Sequence, residues 1–170
     1  MAKFSLNEYE TVDSRIQRFY RDNAGGRIET QLLAHDGEQG KTRWIVRAEV
    51  YKADSERASG VGHAFEIDGT GMANKTSALE NAETSAVGRA LAQAGYSGSR
   101  RTTREEMAKV LIPELREQLA KATTKDATRA VWNEAQKNGV LDTLRQEILD
   151  RNEVISNNTT ESRANGAAHP

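Results

Sequence analysis

Arg43 and Arg47 recur at even spacing in "RWIVRAEVY" and share a face with Tyr51 if that stretch is extended. Lys75 and Arg89 lie further along in "NKTSALENAETSAVGRALAQAGY", and Arg100, Arg101 and Arg104 follow in "SGSRRTTR". Ammonium and guanidinium groups in such positions neutralise phosphates, and binding built on them weakens as salt rises. On a helix, Lys75 and Arg89 fall within about 40° of each other around the axis, so both can edge one groove. Among the aromatics, Tyr51 on the Arg43 and Arg47 face is the candidate for stacking on a base. Trp44 and Phe65 belong to faces expected to be buried, and Tyr96, after a helix-ending glycine, suits either role. The plain alternative for each cation is a solvated surface charge.

Bond-making chemistry has little to stand on. The chain has no cysteine, so thiolate metal sites, disulfides and cysteine nucleophiles are excluded. His35, His63 and His169 show no metal-ligand spacing. "GVGHAFEIDGTG" is rich in glycine but lacks the Lys-Ser/Thr ending of a phosphate-cradling loop. Glu80 and Glu83 read as solvated charges on one helix face, with Lys75 and Arg89 nearby. The expectation is a non-enzyme with no metal and no cofactor. A formal net charge of −1 gives no global attraction for a polyanion, so any such site must be local. No apolar run approaches membrane-spanning length and the start lacks a signal-peptide pattern, so a cytoplasmic protein without a membrane partner is expected.

The elements that would position these residues follow from periodicity. "TVDSRIQRFYRDN" spaces Val12, Ile16, Phe19 and Tyr20 as a helix capped by Thr11 or Asp13. "RIETQLLA" alternates, with Ile28, Thr30, Leu32 and Ala34 on one face. In "RWIVRAEVY" Trp44, Val46, Ala48 and Val50 share the other face from the arginines. "ASGVGHAFEI" sets Val61, His63, Phe65 and Ile67 against a bare side of Gly60, Gly62 and Ala64, where another element can approach closely. The long stretch from Asn74 to Tyr96 is one helix whose Ala82, Ala86, Ala90 and Ala94 recur every fourth residue. "TREEMAKVLIPEL" begins a helix that Pro113 interrupts or starts. A hairpin follows, from a cap at Thr123 or Thr124 through the Ala127, Val131, Trp132 and Ala135 stripe. Gly139 stops its first helix, and Leu141, Leu144, Ile148 and Leu149 line the second, which runs to about Glu153.

At Ala82, Thr84, Ala86, Arg89, Ala90, Leu91 and Gly95 the long helix resembles the signature of the Rad-fifty-two-like single-strand annealing family. The chain is similar to recombination proteins of actinobacterial phages over roughly residues 8–98. The resemblance implies a β-β-β-α core that assembles into rings or filaments, grips single-stranded DNA by its phosphates in an outer groove and promotes pairing with a complement. Arg89 matches the family's arginine, whereas Gly88 stands where its lysine would be.

The expected architecture is therefore α+β: a three-stranded antiparallel sheet packed on a long helix, then a C-terminal helical hairpin. Domain bounds are read as 1–104 for the core, 105–155 for the helical module and 156–170 for a disordered tail. The expected function is ATP-independent single-stranded DNA binding and strand annealing in phage-type recombination, in a host cytoplasm. Partners would be single-stranded DNA, further copies of the chain in a ring or filament, and a single-strand-binding protein or exonuclease. Two alternatives stay open: a phage adaptor that binds a protein through the hairpin, and a single-strand-binding protein without annealing activity.

Overall fold

The computed structural model describes residues 4–70, 74 and 77–166, with side chains as far as residue 158. The chain divides into a sheet unit, Glu8–Glu106, and a helical unit formed by Met1–Asn7 with Met107–Pro170. The fold class is α+β, as the periodicities imply. Sequence reading places the first boundary at 104/105 and assigns the N-terminal residues to the core; instead Leu6, fully buried, joins the helical unit.

The sheet unit is ordered α1 (Val12–Asp22), β1 (Arg27–Asp36), β2 (Arg43–Tyr51), β3 (Gly60–Ile67) and α2 (Ala78–Gln93). The strands form one antiparallel sheet in the order β1-β2-β3. Thr11 caps α1 by accepting the Ser14 amide at 3.2 Å. Val46, Ala48 and Val50 of β2 face the core with Ala82, Ala86, Ala90 and Leu91 of α2 and with Phe19 of α1. The bare side of β3 seats α2. A Cβ at Gly62 would lie 2.1 Å from the Ala86 carbonyl oxygen, and one at Gly60 would lie 2.2 Å from that of Ala90. Glycine below and alanine above let the two backbones come this close.

Several expectations are corrected. Helix α2 begins at Ala78, not Asn74. Asn74 is instead a buried turn residue whose amide nitrogen donates to Glu66 and whose amide oxygen accepts from Asn81. Chain polarity here is better satisfied by these side-chain bonds than by another helical turn. At the other end Gly95, at φ +96°, and the Tyr96 amide bonded back to the Leu91 carbonyl close α2 in a Schellman motif. In β1 a bulge between Leu32 and Ala34 moves Ala34 opposite Ile45, onto the face away from the core. Phe65 is on that same outer face and 61 % exposed, not buried. One helical layer covers only one side of a sheet, and the glycines claimed it.

The helical unit contains α3 (Arg104–Lys121, which starts in the sheet unit), α4 (Lys125–Lys137) and α5 (Leu141–Gly166). Helix α3 continues through Pro113 without interruption, with Leu111, Leu115 and Leu119 buried on both sides of it. That packing outweighs a lost hydrogen bond costing about 3 kcal/mol. Thr124 caps α4 through the Ala127 amide, and Gly139, at φ +67°, ends it. Val131, Ala135, Leu144 and Ile148 fill the core, Trp132 packs beside it, and Leu149 is turned outward. Helix α5 continues to Gly166, where a disordered tail over 156–170 was expected; residues 167–170 lie outside the described residues.

Candidate nucleic-acid interface

The face of the sheet away from α2 carries the odd-numbered residues of β2 and β3. Arg43, Ile45, Arg47, Glu49 and Tyr51 stand beside Ile67, Phe65, His63 and Val61 in cross-strand register. Pleating puts these side chains together, as the sequence alternation required. Phe65 lies opposite Ile45 and one position along from the Arg47–His63 pair. Among the described residues it is the most exposed of the large hydrophobic side chains.

Each cation on this face already has an anion. Arg43 holds Asp36 through two hydrogen bonds of 3.0 and 3.2 Å. Arg47 donates to Glu49 at 2.6 Å, while its buried Nε has no partner. Glu49 sits opposite Glu29, a like-charge pair that is relieved by Arg47 on one side and Arg27 on the other. The Arg27 guanidinium lies 3.8 Å from the centre of the Tyr51 ring. Burial first and the Glu49 carboxylate second raise the Tyr51 phenol above its ordinary pKa.

Arg89 reaches the same region from the helical side. Its Nη1 donates to the His63 carbonyl at 2.8 Å and its Nε to Glu106 at 2.8 Å. One turn later, Gln93 accepts the Val61 amide at 2.6 Å. Arg89 and Gln93 thus bracket the free margin of β3. Arg101 lines the same shallow cleft as Arg89 and Glu106, and among the described residues it has no ion pair.

Gly88, where the resemblance would place a lysine, is packed shut. A Cβ there would meet Val12 and Thr103 at 2.9 Å each, so no longer side chain fits. Arg100 points elsewhere, holding Glu8 at 2.8 Å and standing 5.1 Å from the Tyr9 ring. Tyr96 is occupied internally: Asn23 donates to its hydroxyl, and its ring meets Phe19 edge-on. Lys75 lies outside the described residues. The expected site residues therefore gather in two sets: the cations Arg43 and Arg47 with the aromatic Tyr51 on the open face, and Arg89 with Arg101 at the β3 margin. The His63 carbonyl and its cross-strand neighbour Arg47 link them.

Two positioning residues escaped the sequence reading. Arg15 is fully buried in α1, and its guanidinium donates to the carbonyls of Gly88, Arg100, Arg101 and Thr102 at 3.0–3.1 Å. It ties the second half of α2 to the loop bearing Arg101. Burial lowers its pKa from the ordinary arginine value, with Glu10 opposing that shift. The other is Glu106. Its carboxylate accepts the Thr103 amide at 3.0 Å while the Thr103 hydroxyl accepts the Glu106 amide at 3.2 Å. This reciprocal cap starts α3 and leaves the second carboxylate oxygen for Arg89. The Thr-x-x-Glu spacing at 103–106 was its signal; Arg15 had none, because its acceptors are main-chain atoms.

Residues 16–94 match a family described as Slr1353 N-terminal dsRNA-binding domain-like. That span runs from the middle of α1 to the end of α2 and so contains the whole sheet. No curated protein and no solved structure matches the chain. Among the described residues no helix is long and apolar enough to cross a membrane.

Proposed function

We propose that the sheet unit binds a single-stranded nucleic acid across the open sheet face and over the β3 margin. The observation that carries this is Phe65, more than half exposed beside Arg47 and His63. An apolar ring held out by a rigid strand among guanidinium groups is what an unstacked base requires, and every base has a face to offer. The match to a family described as double-stranded-RNA-binding-like supports the wider class, nucleic-acid binding. It also favours a second reading, duplex RNA as the ligand. Against that reading, the cleft between α1 and α2 is lined by Asp13, Glu83 and Glu105 without a cation.

The finer reading follows the resemblance: the strand is DNA, and the protein promotes its pairing with a complement without ATP. Carboxylates already occupy Arg43, Arg47 and Arg89, so phosphates compete with them and each contact is weak and exchangeable. A strand held this way can be surrendered to a complementary one. A single-strand-binding protein or an exonuclease would supply or protect that strand.

Fluorescence polarisation with labelled single-stranded DNA, single-stranded RNA and duplex RNA tests the reading. Single strands should bind in dilute salt, and Phe65→Ala should weaken them about tenfold or more. Unshifted single strands, as a protein adaptor would give, or an indifferent Phe65→Ala variant, overturns it. Preference for the duplex selects the second reading. Mixing complementary oligonucleotides separates annealing from simple binding, since only an annealing protein speeds duplex formation.

A further inference from the structure

The two margins of the sheet are finished differently. On β3 the Val61 amide and the His63 carbonyl point outward and are taken up by Gln93 and Arg89. On β1 every residue but Ile28 is exposed, and Leu32 and the bulged Leu33 are 44 % and 45 % exposed. The direction of its backbone follows from β2. The Val50 carbonyl accepts from Ser59 and so faces β3, which turns Arg47, Glu49 and Tyr51 toward β1. Their partners Gln31, Glu29 and Arg27 face inward, leaving Ile28, Thr30 and Leu32 with amides and carbonyls directed outward. Among the described residues nothing pairs with them. A long, uncovered margin with apolar residues is a template for another strand.

We propose that β1 is a self-association edge, at which a second copy of this chain pairs antiparallel about a two-fold axis through Thr30. In that register Thr30 faces Thr30 of the second copy, and Ile28 faces its Leu32, twice over by symmetry. On the outer face Glu29 meets Gln31, so no like charges stand opposite one another. The bulge after Leu32 ends the pairing on each side. Because β3 is capped by its own helix, β1 cannot add to β3 of a neighbour, and the assembly closes at two chains. This dimer takes the place of the ring or filament that the resemblance implied. It does not rest on the nucleic-acid reading.

The chain has no native cysteine, which allows a direct test on the full-length protein without nucleic acid. Directly opposed residues in such a pair sit about 5.5 Å apart at Cα, within disulfide reach. Oxidised Thr30→Cys should migrate as a covalent dimer, while Val61→Cys on the capped margin should not. Light scattering should give a two-chain mass for the wild type and a one-chain mass for Leu32→Lys, with unchanged circular dichroism. A monomer at every concentration, a mass above two chains, or Thr30→Cys that fails to cross-link overturns the proposal. If Leu32→Lys does not fold, the cross-linking pair decides alone.

Discussion

The Glu106 carboxylate grips Arg89 at 2.8 Å from inside the first turn of α3, so one acid both starts a helix and restrains the cation at the β3 margin. Removing its charge while keeping the cap separates the two duties. Gln also closes a capping box. Glu106→Gln should therefore fold normally and bind single strands several-fold more tightly, as polarisation in dilute salt would report. Arg89→Ala should weaken binding and reduce the salt slope by about one. An unchanged slope would take Arg89 out of the interface.

Glu49→Gln makes the same point on the open face. It relieves the Glu29–Glu49 opposition and frees Arg47 from its anion. Affinity for single strands should rise and its salt dependence should steepen, with stability equal or slightly higher. Binding that falls instead would mean that Glu49 orients Arg47 rather than competing for it.

Close approach of β3 and α2 makes Gly62→Ala costly. With a Cβ 2.1 Å from a main-chain oxygen the helix must shift, and overpacking of this kind costs about 3 kcal/mol. Gly25→Ala, whose nearest neighbour would be Ala53 Cβ at 3.5 Å, should be nearly neutral. Urea unfolding of the two variants supplies the comparison.

Arg15→Met should destabilise the sheet unit by about 3 kcal/mol, because four carbonyls lose a shared charged donor. Arg15→Lys should rescue little, since an ammonium cannot span the same fork. Slow amide exchange in α2 and across 100–102 should be lost together in both.

Leu6→Ala should lower the stability of the helical unit by about 3 kcal/mol and leave the sheet unit's exchange pattern intact. Leu6 is fully buried, and its amide is held by the Asn138 side chain at 2.7 Å. If both units weaken equally, residues 4–7 do not belong to the helical unit alone.

What the sequence made legible was the small-on-small contact, because it is written twice: Gly60 and Gly62 in one strand, and alanines every fourth residue in one helix. Taken seriously, that pattern also implied an exposed Phe65, since the sheet has only one helical layer to hide beneath. The bulge at Leu33 left no mark, because an extra residue in an alternating strand looks like ordinary alternation until its partner is known. The pairing of Arg43 and Arg89 with carboxylates was equally hidden. Asp36 and Glu106 lie seven and seventeen residues away in the chain, and only the fold brings them near. Gly88 read as a departure from a resemblance, whereas Val12 and Thr103 supply its physical cause.

Residues 4–7 are built into the same cluster as Leu111 and Leu144. In the sequence, the sheet unit is therefore an insertion between two stretches that build one bundle. The bundle therefore draws on both ends of the described chain, so its folding must wait until the residues after 106 have been made.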